Sequence, residues 1–483
     1  MASKITTIRM SVPSDPELGR HLPFVHNRAN NVAVTWKDLV IICGGTWDDS
    51  WPWSIQTDIT PESEWDEDDE PWGTEFDSKA VYCHRDGKWF PKATYGEVPN
   101  MRHNAGAEVL DDTMYLMCGE YVGECYKQEC VLKEKCVCGV ERITNNIYSL
   151  DLNSWRWTKL NPKGTPPFKC SSLSTWIHNG KFYGFGGQIT EDDIHFDSDA
   201  YPDYLQVTYD EQGSVIEGHT IYASSFTNQL FHYNVSDNCW EWPSVNGDIP
   251  SPRYDHTTII CGDSAILFGG MGIVDSHRGY MNDLYTLNLV EMMWTRAHRS
   301  MIARGIPKRR SHHSLTLVSS EAAVLFGGSK WCKKWTDDDY GYRDCWILNT
   351  KKLLRDGFNR YNPSCLWKRC WHQENRPSSL DATRISHRAV VEPVSKRLWI
   401  LGGSSNWELT EPYPTEIISM SFNSAAPLRL LAMESALSHF DRSNPIWEAN
   451  RIPEHLRTEL EDRRSHMEEE RRTGMVGQRY NKY

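Results

Sequence analysis

Four things are missing from this sequence, and each argues against a class of protein. It has no run of about 18 apolar residues, so no helical membrane span is expected. Its first residues, MASKITTIRMSVPSD, lack an apolar targeting segment, and a soluble chain in the cytoplasm, the nucleus or both is expected. It also lacks a basic excess. The formal net charge is −13, which argues against general nucleic-acid binding, since that needs a basic footprint. Nor does any GxSxG elbow, P-loop, HExxH or glycine-rich dinucleotide turn occur in a fitting context. No motif therefore names an enzyme chemistry, and no cofactor is expected.

Flat side chains, in contrast, are abundant. There are 21 Trp and 21 Tyr although only 39% of residues are hydrophobic, which favours a β-rich core filled by aromatic rings. The 14 cysteines are scattered, and several (Cys43, Cys118, Cys261) lie in strand-like apolar runs, where a free thiol acts as a small hydrophobe. A reducing compartment fits that usage. A tighter run, Cys118, Cys125, Cys130, Cys136 and Cys138, has spacings unlike paired zinc knuckles, so the last four are at most weak metal candidates. Cys365, Cys370 and His372 draw the same reading.

The dominant signal is repetition. Six apolar strands end in glycine: 39–45 (LVIICGG), 114–120 (MYLMCGE), 182–187 (FYGFGG), 266–270 (ILFGG), 323–328 (AVLFGG) and 398–403 (LWILGG). They recur at intervals of 58 to 83 residues. Most are preceded by another short strand and followed by an alternating one. A strand bearing Trp89, Trp155/Trp157, Trp240/Trp242, Trp294 or Trp367 then closes the unit. A unit this small cannot bury its own faces, so the units must stack on one another.

This pattern resembles the kelch repeat over residues 20–422. The implied fold is all-β, a six-bladed β-propeller whose blades are four-stranded meanders. The sixth unit has a third strand at 416–422 but no fourth, and residues 5–10 (ITTIRM) alternate well enough to supply it. In a meander, the second-to-third connections share one face with the links between blades. The long insertions, 46–78, 120–143, 188–227, 271–281, 329–341 and 404–415, all fall on that face, which is expected to bind. The acidic, tryptophan-rich loop 46–78 reads best as a solvated flap. The links repeat Arg-x-x-His at Arg253, Arg310 and Arg384, with Arg102 in a similar place. These arginines could tie blades together or form a positive lip for a carboxylate.

After residue 422 the pattern changes to helical spacing, and three regions follow: a propeller at 1–422, a helical docking segment at 423–462 and a charged tail at 463–483. Pro427, Leu428, Ala432 and Ala436 resemble the box that binds elongin C, with Ala432 at the position usually held by Cys. Ile452, Pro453, Leu456 and Leu460 fit the cullin-2 box. Together with the repeats, the chain resembles the kelch-repeat substrate receptors of cullin-2 ubiquitin ligases. That resemblance implies a non-catalytic adaptor with elongin B/elongin C and cullin-2 as partners. It also implies a propeller mouth that grips a substrate peptide, often its C-terminal tail, through an arginine and serine clamp. Carried over residue by residue, the clamp serine is Ser311, beside Arg310, and the pocket tryptophan falls on His312. The two clamp arginines fall on Met271 and Tyr280, with Arg278 able to stand in. Rim positions that are Tyr, Lys, Tyr and Trp in the family fall on Thr46, Ser172, Gln188 and Phe226. The alternative is a kelch scaffold with no ligase association.

Overall fold

The computed structural model describes residues 4–9, 29–45, 80–85, 88–100, 102–122, 141–189, 201–208, 225–274, 277–298, 305–330, 341–356, 366–370, 383–404 and 416–422. Ala2–Phe422 form one compact unit. Thr46, the cysteines 125–138 and both tail boxes lie outside the described residues.

Each repeat is a four-stranded antiparallel blade. Blade 1 comprises Val32–Trp36, Leu39–Cys43, Ala80–Arg85 and Lys88–Ala93. Blade 2 comprises Gly106–Leu110, Thr113–Met117, Ile147–Asp151 and Arg156–Leu160. Blade 3 is built from Ser174–His178, Lys181–Phe185, Leu230–Asn234 and Cys239–Glu241. Blade 4 has Thr257–Cys261, Ser264–Val274, His277–Asn288 and Met293–His298. Blade 5 has Ser314–Ser319, Ala322–Phe326, Cys345–Asn349 and Trp367–Arg369. Blade 6 takes Arg388–Val391, Leu398–Leu401 and Glu416–Ser421 from one end of the chain and Lys4–Arg9 from the other. Lys4–Arg9 pairs antiparallel with Glu416–Ser421, Ile5 opposite Met420 and Ile8 opposite Ile417. The innermost strand of each blade packs beside that of the next, and blade 6 returns to blade 1, so the circle closes.

Strand periodicity explains the core. Successive side chains point to opposite faces, so each blade feeds two interfaces. Leu39 and Ile41 pack with Met114, Leu116 and Trp157 of blade 2. Their neighbours Val40 and Ile42 pack instead with Trp399, Leu401 and Ile417 of blade 6. The same division repeats around the ring, and the hydrophobic core is a set of layers between blades. The tryptophan of the fourth strand reaches back to the preceding blade. Trp294 lies 5.2 Å from Phe185, and Trp367 lies 5.0 Å from Phe268, centroid to centroid.

Two features differ from the sequence reading. Segment 271–281, expected as an inserted loop, instead continues both strands of blade 4, which stay paired out to Val274 and His277 past a bulge between Phe268 and Gly270. A short helix, Thr350–Asp356, sits between the third and fourth strands of blade 5, with Leu353 buried. Among the described residues no helix is long and apolar enough to cross a membrane.

Candidate functional site at the channel mouth

The links between blades build the mouth. In every link, the residue at the turn into the innermost strand has a left-handed backbone: Asn30, Asn104, Ser172, Asp255, His312 and Ser386, with φ between 51° and 57°. Non-glycine residues avoid that region, so six in equivalent places require compensation. Hydrogen bonds supply it. The amide of Asn104 donates to the Asn30 carbonyl, Ser172 to Asn104, Asp255 to Ser172, His312 to Asp255, Ser386 to His312 and Asn30 to Ser386, at 2.9 to 3.3 Å. The six bonds form an unbroken circle around the channel entrance.

The diglycines lock the links from outside. The second glycine N–H of the pair donates to the carbonyl of the next link's arginine at Gly45–Arg102, Gly187–Arg253, Gly270–Arg310 and Gly328–Arg384, at 2.8 to 3.0 Å. No side chain fits there. A Cβ on Gly44 would lie 2.1 Å from the Arg102 oxygen, and one on Gly327 would lie 2.6 Å from the Arg384 oxygen.

The link arginines do not form a lip. Arg253 and Arg310 are completely buried. Arg253 grips both Asp283 oxygens at 2.8 and 3.1 Å and the Gly269 carbonyl at 3.1 Å. Arg310 does the same with Asp344, at 2.6 and 2.9 Å, and with the Gly327 carbonyl at 2.8 Å. Burial pushes the Asp344 carboxyl up, but the Arg310 charge and hydrogen bonds outweigh it and hold it below its ordinary range. Arg384 is equally enclosed and donates to the Gly402 carbonyl. Of the two roles the sequence left open for Arg253 and Arg310, the structural one holds, and their place among the peptide-binding candidates is corrected. A guanidinium already bound bidentately at full burial has no donors left for a carboxylate.

The other candidates fall into two groups. Between blades 3 and 4, Phe226 stacks on Tyr254 with centroids 5.4 Å apart, and the Tyr254 hydroxyl lies 3.4 Å from Met271 Sδ. Tyr280 packs against this cluster, and Gln188 sits opposite Phe226 in the small sheet above blade 3. Ser172 adjoins it through its bond to Asp255. The backbone of Arg278 lies opposite Ile273 at the hairpin's outer end. Between blades 4 and 5, His312 bonds Asp255 at 2.9 Å through Nε2 and the Ser311 hydroxyl at 2.7 Å through Nδ1. This serine–histidine–aspartate line is not built for attack. Ser311 is fully buried, and its backbone is tied to Ser329 in both directions. It acts as a clasp across the two blades.

The sequence reading placed Ser311, His312 and Ser172 at the mouth but missed Asn30, Asn104, Asp255 and Ser386. Their signal was positional: each stands two residues after the position occupied by arginine in five of the links. Of the cysteine run, Cys118 is described. Its thiol is buried 3.5 Å from Cys170 in the next link.

Residues 206–428 match the KLHDC2/KLHL20/DRC7 Kelch-repeats domain family. Kelch domain-containing protein 2 of Bos taurus is 25% identical over 386 residues, covering 78% of this chain and 79% of the relative. Kelch domain-containing protein 1 of Homo sapiens is 24% identical over 345 residues, covering 70% and 68%. Host cell factor 2 of Homo sapiens is 26% identical over 346 residues, but that stretch is only 37% of its length. The solved structure of YjhT superposes with a TM-score of 0.50 at 13% identity, covering 86% of this chain and 98% of that one, a likeness of fold alone.

Proposed function

We propose that this β-propeller, whose residues 206–428 match a Kelch-repeats domain family and whose sequence is similar to that of Kelch domain-containing protein 2, is the substrate-recognition subunit of a cullin-2/elongin B–elongin C ubiquitin ligase. It would act in the cytoplasm or nucleus. One observation carries this reading: the two tail boxes, at 427–436 and 452–460, occur in the order the ligase receptors use, directly after a kelch propeller. An apolar face repeated at helical spacing is how a short segment docks in a partner's groove. The substrate peptide would enter at the mouth, between the Phe226–Tyr254–Met271 cluster and the Asp255–His312 clasp. Because the clamp positions are Met271 and Tyr280, and Arg253 and Arg310 are committed internally, the peptide's carboxylate is not the feature we assign to recognition.

A kelch scaffold without a ligase is the second reading, favoured by Ala432 standing where the elongin box has cysteine. Affinity capture of the full chain separates the two. Wild-type protein should retain elongins B and C, and Leu428→Ala should reduce retention at least tenfold, the equivalent of about 1.4 kcal/mol. Failure of the wild type to retain them, or full retention by the variant, removes the ligase reading.

A further inference from the structure

The innermost strands enclose a channel of about 200 Å³ to which all six blades contribute. That is room for roughly six or seven waters, or for a charged group on a short alkyl stem. Most polar side chains in it are committed to a neighbouring blade. Ser174 bonds His256 at 2.8 Å, Thr257 bonds His313 at 2.9 Å, and Ser314 bonds His387 at 2.8 Å, each through Nε2. Arg388 donates to the Asn31 carbonyl and faces the Asp255 carboxylate at the mouth.

Glu108 differs in being an acid held by one neutral hydroxyl. It lines the channel from blade 2, and its carboxylate receives a single hydrogen bond, from Thr175 Oγ1 of blade 3 at 3.2 Å. Among the described residues no cation bonds it. The three histidines offer no charge, since burial first and neighbouring arginines second hold them neutral. Burial pushes the Glu108 carboxyl up to about 8. A carboxylate held in so narrow a channel without a counter-charge is costly even though part of its surface stays open, and supplying the cation offsets that cost. The walls suit a donor-rich cation as well. Each innermost strand is a sheet edge, so one row of its carbonyls has no partner strand within its own blade.

We propose that the channel is a cation pocket in which Glu108 takes a primary ammonium group. Two of the ammonium's three N–H donors go to the carboxylate and the Thr175 hydroxyl, and the third goes to a strand-edge carbonyl. The ammonium belongs either to a free small amine or to a lysine side chain of a bound partner. The pocket is distinct from the tail boxes, so loss of elongin retention would leave it standing.

The test is calorimetric titration of the full chain with n-butylammonium chloride against sodium chloride at matched ionic strength. Saturable binding is expected. Its affinity should rise with pH about tenfold per unit below about 8 and level off above, because the cation displaces the carboxyl proton. Glu108→Gln should weaken binding at least tenfold with an intact melting transition. Thr175→Val, which keeps the shape and removes one acceptor, should weaken it several-fold. Competition by a lysine-ended peptide, with its acetyl-lysine counterpart inert, assigns the ammonium to a partner's side chain. Absence of competition assigns it to a free amine. Wild type that does not distinguish n-butylammonium from sodium, or Glu108→Gln and Thr175→Val variants that both bind as wild type does, overturns the proposal.

Discussion

His256, His313 and His387 show how one side chain can serve as an inter-blade joint. Each ring meets, edge to face, the phenylalanine ahead of the previous blade's diglycine, at 5.5 Å from Phe185, Phe268 and Phe326. Each also bonds that blade's hydroxyl. Phe-Gly-Gly in one unit thus goes with histidine in the next link. Where the unit ends in Cys-Gly instead, the link has Ala105 or Leu173. Burial and the charges of Arg384 and Arg388 lower His387 to about 3, against an ordinary value near 6.5. A depressed histidine contributes stability that is present above about 6.5 and lost as pH falls toward 3. Urea unfolding should therefore show the wild type losing about 2 kcal/mol more between pH 7 and pH 5 than His387→Asn does, as an upper figure. Equal losses in the two proteins would contradict a buried neutral imidazole. The sequence marked this histidine through its spacing from Arg384. Whether it faces ligand or neighbour depended on the phenylalanine and serine brought beside it from another blade.

At the scale of the element, the glycine-ended strand is the unit on which the mouth depends. Two glycines with the same left-handed backbone distinguish conformation from space. Gly327 has φ +60°, and a Cβ there would meet the Arg384 carbonyl. Gly180, in a tight turn, has φ +72° and nothing within 4 Å. Gly180→Ala should cost about 1–2 kcal/mol from backbone strain alone. Gly327→Ala should cost on the order of 3 kcal/mol or more, because the blade 5–blade 6 link must also move. Denaturant midpoints of the two variants read the difference, and similar costs would mean the clash relaxes without penalty. The strands themselves were legible in the sequence as apolar runs ending in glycine. The extension of the blade 4 hairpin was not. Met271 to Tyr280 alternates poorly, and its pairing is held by the register that Leu267 and Tyr285 begin further in.

For the whole molecule, closure is the decisive event. Lys4–Arg9 completes blade 6 by pairing with a strand more than four hundred residues away, a partner that the alternation of residues 5–10 suggests but does not select. Removing residues 2–10 should lower the melting temperature, because Glu416–Ser421 becomes an open edge and the layer between blades 6 and 1 loses its boundary. An excess of a peptide spanning residues 1–12 should raise it again by mass action. An unchanged melting temperature in the truncated chain would contradict closure by this strand.

The sequence alone determined the number of units and the strand that ends each one. Those follow from local periodicity and from glycine, whose need is written at its own position. It also carried the tail boxes on which the proposed partners rest. Only the tertiary structure decided what the polar residues do. Arg253 and Arg310 became internal ties because Asp283 and Asp344 arrive from positions 30 and 34 residues away. Glu108 was left without a counter-charge because the blades beside it bring a hydroxyl and neutral imidazoles, while Arg388 turns to the Asn31 carbonyl and Asp255. Charge pairing depends on distances across blades, and no one-dimensional pattern contains them.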